Sequence, residues 1–161
     1  MPTPKQENEF DTFGCASRCL IALANARGAG LTKSSFIDKF APKYWLHGDQ
    51  CGGLTLGQIE EIAKDLGLAR DIQESSDFSA VRTHIKNRSI TSSLVYTQKK
   101  YETDGSLSVY YHCTVVAPSV LRGDDFLYLT EIDIQSGHCV GQFLPESAIA
   151  ALIQTFLLFL P

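Results

Sequence analysis

Basic charge is in short supply. Lys and Arg total 14 against 18 Asp and Glu, a formal charge of -4, so the chain lacks the broad cationic surface that tracks a phosphate backbone, and nucleic acid is not an expected partner. Long apolar runs are missing as well. The most apolar stretch, Ala148 to Leu160, falls short of the roughly 20 residues a membrane span needs and reads as a buried terminal helix. Met1 to Asp11 carries Lys5, Glu7, Glu9 and Asp11 without an apolar segment, so no secretory signal is expected. Cytoplasm is then the default compartment, with signal-independent secretion or injection into a target cell as the alternative. The five cysteines, Cys15, Cys19, Cys51, Cys113 and Cys139, include no Cys-x2-Cys pair and are odd in number. That fits a reducing compartment or a working thiol better than a disulfide framework. Neither a metal nor another cofactor is expected. Repeats, low-complexity tracts and linkers are also lacking, so the 161 residues read as one domain over 1–161, with 1–12 as a flexible leader.

What is present falls into two halves. Cys15 to Arg27 places Ala16, Cys19, Leu20 and Leu23 at helical spacing, with Gly28 as a stop. Thr32 caps a second helix through Phe40, ended by Pro42. Thr55 opens a third, whose apolar stripe is Leu56, Ile59, Ile62, Ala63 and Leu66 and whose end is Gly67. Ser79 to Asn87 reads as a fourth. After Arg88 the period changes to that of strands: Ser93 to Thr97, Leu107 to Ala117, Phe126 to Ile134 and Cys139 to Phe143, with turns at Thr103-Asp-Gly105, Arg122-Gly-Asp124 and Ser136-Gly137. The expectation is an α+β fold, N-terminal helices packed on a C-terminal antiparallel sheet of about four strands.

A cysteine in the first turn of a helix sits where backbone N–H groups and the positive dipole end favour an anion, so a thiol at Cys15 is expected to ionise readily. A working nucleophile also needs an imidazole to exchange its proton and a group to orient that imidazole. His112 lies inside a strand, and Asp133 lies on the next one. If the two strands are hairpin partners, His112 and Asp133 can point to the same face and meet, and Cys15 then needs only to have its helix packed on that face. Glu131, two residues before Asp133, is its nearest substitute, and His138 is the rival base. Cys19, on the apolar stripe, reads as core, and Cys51, Cys113 and Cys139 read as structural. A zinc site built on Cys15, Cys19, His112 and Cys113 is disfavoured, because adjacent strand residues face opposite ways.

The order helix-borne Cys15, strand His112, then Asp133 on the following strand resembles papain-like cysteine hydrolases. Cys15-x-x-x-Cys19-Leu20 before Gly28, with the helix Leu54-Thr-Leu-Gly-Gln-Ile-Glu-Glu-Ile-Ala-Lys-Asp-Leu-Gly67, is similar to the peptidase domains that trim double-glycine leaders from bacteriocins. Asp133-Ile-Gln-Ser-Gly137 resembles instead the turn of papain-fold toxins and glutamine-deamidase effectors. The resemblance implies a papain-like fold, a Cys15-His112-Asp133 triad and a protein or peptide substrate. The reaction it implies is peptide-bond cleavage or glutamine deamidation; a papain-fold binding module that has lost catalysis is the other reading. The chain departs from the leader peptidases at Ala16 and Ile134. The Gln that polarises the oxyanion upstream of a papain-like nucleophile has no direct counterpart, leaving Gln6 or Asn8 to serve if the leader folds back. Nothing in the sequence speaks to oligomeric state.

Overall fold

Thr-x-x-Gln or Thr-x-x-Ser opens three of the four described helices in the computed structural model, which describes residues 1–45, 53–77, 79–80, 83, 93–103, 106–118, 128–133, 140–145 and 154–160. Helix α1 spans Pro4–Phe13: the Thr3 hydroxyl accepts from Gln6 N–H, and Gln6 Oε1 accepts from Thr3 N–H at 2.8 Å, a capping box that satisfies two orphan donors. Thr32 and Ser35 do the same for α3 (Lys33–Tyr44), and Thr55 and Gln58 for α4 (Leu56–Asp65). The remaining helix, α2 (Cys15–Ala26), starts on Gly14, which brings no side chain to cap it.

Two expectations about these helices need correcting. Residues 4–13, read as part of a flexible leader, form α1, because the capping box and Pro4 in its first turn nucleate it and Phe10 anchors it in the core. Helix α3 runs past Pro42 to Tyr44. A proline so near a helix end removes only one ladder bond, and Phe36, Ile37, Phe40 and Ala41 already hold the helix by burial. The helix expected over Ser79 to Asn87 lies largely outside the described residues. Helices α2 and α4 end as the sequence suggests. Gly67, at φ 67°, donates to Lys64 O at 3.0 Å while Leu68 donates to Ala63 O at 2.9 Å, a left-handed C-cap that a β-carbon would strain.

The strands β1 (Asp71–Ser75), β2 (Ser93–Thr103), β3 (Ser106–Pro118), β4 (Tyr128–Asp133), β5 (Val140–Pro145) and β6 (Gln154–Leu160) form one antiparallel sheet in the order β1-β6-β2-β3-β4-β5. Strands β2 to β5 overlap the four segments read from the sequence, and β1 and β6 bring the sheet to six strands where about four were expected. Strand β6 replaces the C-terminal part of the expected helix. It lies inside the sheet between β1 and β2, with Leu157 and Phe159 in the core cluster and Leu158 also buried. A continuous apolar run suits a strand covered on both faces as well as it suits a buried helix. The rest of that expected helix, residues 148–153, lies outside the described residues. No helix among the described residues is long and apolar enough to cross a membrane.

Helices and sheet share one core. Phe10, Leu20, Phe36, Ile37, Ile59 and Ile62 from the helices meet Cys113, Val115, Leu157 and Phe159 from the sheet, all nearly fully buried. Each such aliphatic or aromatic side chain is worth about 1.5–3 kcal/mol in area removed from water. Helix α2 is the helix that lies against β3, which brings its first turn to the middle of the sheet.

Candidate functional site

Gly14 is the hinge of the site. It ends α1 by donating its N–H to Phe10 O at 2.9 Å and starts α2 by accepting from Arg18 N–H at 2.8 Å, so the two helices follow one another without a linker. A β-carbon at Gly14 would run into the Phe10 carbonyl oxygen, which is why glycine stands before Cys15. The first-turn N–H groups of α2 lie outside its own ladder, and Gly14 supplies no side-chain acceptor for them. Among the four described helices this is the one N-terminus whose cap residue offers no side-chain acceptor, and Cys15 is its first residue.

Cys15 is half-buried and packs against the core cluster. Its thiol is hydrogen-bonded to that of Cys113 on β3. Cys19, one turn along α2 and fully buried, donates its S–H to the Cys113 carbonyl oxygen at 3.4 Å. The hydrogen bond to Cys15, then burial, then the neighbouring Cys15 and Cys19 thiols push the Cys113 thiol far above its ordinary value. Cys113 therefore keeps its proton and is the donor in the pair. No three His, Cys, Asp or Glu side chains among the described residues come together in a geometry that could hold a metal ion.

The raised Cys113 value has a stability consequence. In the unfolded chain an ordinary thiol ionises near pH 8.5; the folded state keeps the proton, so the contribution is fully present below that pH and is lost as pH rises toward the folded value. Unfolding free energy should decline above about pH 8.5, and Cys113→Ala should flatten that decline, as read by urea titrations at pH 7 to 10. An equally steep alkaline decline in the variant would refute the assignment.

The backbone locates the other expected site residues. His112 lies in β3 beside Cys113, paired with Thr97 of β2. Asp133 ends β4, the antiparallel neighbour of β3, and pairs with Val140 of β5. Val115 pairs with Ile132, so by alternation Asp133, next along, shares the register class of Thr114 and His112. His112 and Asp133 thus lie on neighbouring strands with common parity, but the packing of the Cys15 helix on that parity class, which the expected site also needs, is not what the register gives. Cys113 and Val115, the β3 positions packed into the cluster with α2, belong to the alternate class. Glu131 pairs with Val116 and Gln142. His47, His84, His138, Cys51 and Cys139 lie outside the described residues.

The oxyanion candidates need a correction. The Gln6 side chain is committed to the Thr3 capping box, seven positions before the end of α1 at Phe13 and so about 10 Å from it along the axis. Asn8 is exposed, with its carbonyl accepting from Thr12 Oγ1 at 2.9 Å. A leader folded into a helix does not fold back over Cys15. Cys113, read as structural from the sequence, is buried in the core cluster; strand alternation allows His112 or Cys113, but not both, to stand on the side facing α2, and Cys113 is the one that does.

Around this centre, Asp11 of α1 binds Arg18 of α2 at 3.0 Å and Lys33 of α3 at 2.7 Å, and both cations lie over the Phe10 ring. Phe13, last residue of α1, is a large apolar side chain left 44% exposed next to Gly14 and Cys15. No protein-family model matches the chain, and no curated protein or solved structure is similar to it.

Proposed function

We propose that the chain is a papain-like cysteine hydrolase that attacks an amide carbon of a protein or peptide, with Cys15 as nucleophile, His112 as acid and base, and Asp133 as its orienting group. The observation that carries this reading is the start of α2: a half-buried thiol on the helix whose cap residue supplies no acceptor, hydrogen-bonded by a neighbour that holds its own proton. A donor aimed at the Cys15 sulfur and the positive end of the helix both favour the thiolate there. The thiolate adds to the carbonyl carbon, and the oxyanion develops against the first-turn N–H groups of α2. His112 protonates the departing nitrogen and then takes a proton from the water that releases the acyl group, while Asp133 fixes its tautomer. With a peptide bond as substrate the protein is a protease; with a glutamine side chain it is a deamidase and ammonia leaves. Either activity suits a bacterial toxin or effector.

The second reading is a binding module of the same fold without catalysis. It is favoured by the commitment of Gln6 to its capping box and by the register class that separates His112 from Cys113. The rate of Cys15 alkylation by iodoacetamide against pH separates the two. Rapid labelling near pH 6 that slows in His112→Ala is the hydrolase result; labelling only above about pH 8, indifferent to His112, is the module result.

A further inference from the structure

We infer that Arg18 is a positioning residue for Cys15: its guanidinium, held at the start of α2 by Asp11, is the cation that favours the thiolate form of Cys15. The inference rests on Cys15 as the working thiol of the proposed hydrolase and adds what keeps that thiol charged. Between Cys15 and Ala24 the half-buried positions of α2 are Cys15, Arg18, Ile21 and Ala22, and the rest are buried. Residues three and four apart on a helix are neighbours, so these positions form one arc, on which Arg18 stands beside Cys15 with Cβ atoms about 5–6 Å apart. Helical side chains lean toward the N-terminus. Arg18 does so: its Nη2 donates to Asp11 Oδ1 at 3.0 Å and its guanidinium carbon lies 5.0 Å from the Phe10 ring centre, both partners belonging to α1, before Cys15 in the chain. The charge is thereby carried back from its own turn to the junction where Cys15 begins α2.

The carboxylate that holds Arg18 does not cancel it. Asp11 also accepts from Lys33 Nζ, at 2.7 and 2.8 Å, so two cations share one carboxylate and the junction keeps a positive surplus. The Arg18 Nε atom is buried without a hydrogen-bond partner, so Asp11 does not saturate the guanidinium. Glu9, the acidic residue of α1 two positions before Asp11, is paired with Lys5. The titratable groups that α2 and β3 add around this turn are the Cys19 and Cys113 thiols, 0% and 2% exposed, and burial keeps both neutral. Arg18 is the one charged residue of α2. A guanidinium stays protonated over the whole range in which a thiol titrates, so its field acts on Cys15 at every such pH and adds to that of the helix start.

The test is the pH profile of Cys15 alkylation by iodoacetamide in the full chain, located by peptide mass spectrometry, for the wild type, Arg18→Gln, Arg18→Lys and Asp11→Asn. Arg18→Gln is expected to raise the midpoint by about half a pH unit or more, the order for a unit charge at about 6 Å from a half-buried group. Arg18→Lys keeps the charge and is expected to stay near the wild type. Asp11→Asn removes the carboxylate, leaves both cations and is expected to lower the midpoint. Opposite signs are the mark of a charge effect, because Arg18→Gln and Asp11→Asn break the same ion pair and a merely structural bond would move both the same way. An unchanged midpoint in Arg18→Gln, shifts of one sign in Arg18→Gln and Asp11→Asn, or Arg18→Lys displaced as far as Arg18→Gln overturns the inference. If Arg18→Gln does not fold, Asp11→Asn decides alone, its side chain being 53% exposed: a midpoint that stays or rises overturns the inference. The hydrolase reading is tested separately by His112→Ala, so an alkylation profile sensitive to His112 and indifferent to Arg18 defeats this inference alone, and the reverse defeats the triad alone.

Discussion

Cys15→Ala is expected to abolish amide hydrolysis, and His112→Ala to lower it by about 10⁴-fold, with Asp133→Asn costing less than either. The assay is product mass after incubation with an unfolded protein substrate: cleavage gives fragments, whereas deamidation leaves an intact chain about 1 Da heavier because an amide nitrogen has been exchanged for oxygen. The reason for the ranking is division of labour. In the proposed mechanism Cys15 forms the covalent bond: it is the first residue of α2 and half-buried, whereas Ser17, the other hydroxyl or thiol of that first turn, is fully buried. In the proposed triad His112 moves the proton twice in each turnover, so its loss would act on both acylation and deacylation. Asp133 in this proposal would act only through His112. Glu131→Gln is the control, since Glu131 is the acidic residue two positions away on β4. Full activity in Cys15→Ala or in His112→Ala defeats the proposed triad. A selective loss in Glu131→Gln would transfer the orienting role to it.

The largest expected effect on stability comes from Phe10→Ala. Phe10 is 2% exposed and is the buried residue of α1; its ring stands 6.3 Å from Phe36 in an edge-on arrangement and 6.1 Å from Trp45. Arg18 and Lys33 lie over the same ring at 5.0 and 5.5 Å. Removing it opens a cavity between α1 and α3 and leaves both cations without their aromatic platform. The expected cost is about 3–5 kcal/mol, against a total of about 5–15 kcal/mol for a domain. A urea titration should show the midpoint falling with the slope unchanged. A cost under about 1 kcal/mol would show that α1 is not anchored through this ring. Because the Phe10 carbonyl also accepts from Gly14 N–H, the variant should also slow Cys15 alkylation by loosening the junction that presents it.

The sequence by itself determined the local features: where α2 and α4 stop, where α3 and α4 begin, and that strands follow helices. These rest on bonds between residues three to five positions apart, such as Thr55 with Gln58 or Leu68 with Ala63, and on side-chain periodicity, both of which are readable in a short window. It also placed Cys15 at a helix start, since Gly14 and the apolar spacing after it are local signals. What only the tertiary structure decided involves distant partners. Leu157 to Leu160 form a strand because β1, about half the chain away, and β2 supply ladders on either side; the same apolar run alone suits a buried helix equally well. The segment before Gly14 is a helix rather than a leader in large part because Phe10 finds Phe36 and Trp45. Which of His112 and Cys113 stands on the side of β3 that meets α2 is likewise a matter of register against the packed helix. A shift of one residue exchanges the two classes, and only the burial of Cys113, Val115, Leu157 and Phe159 together fixes the choice.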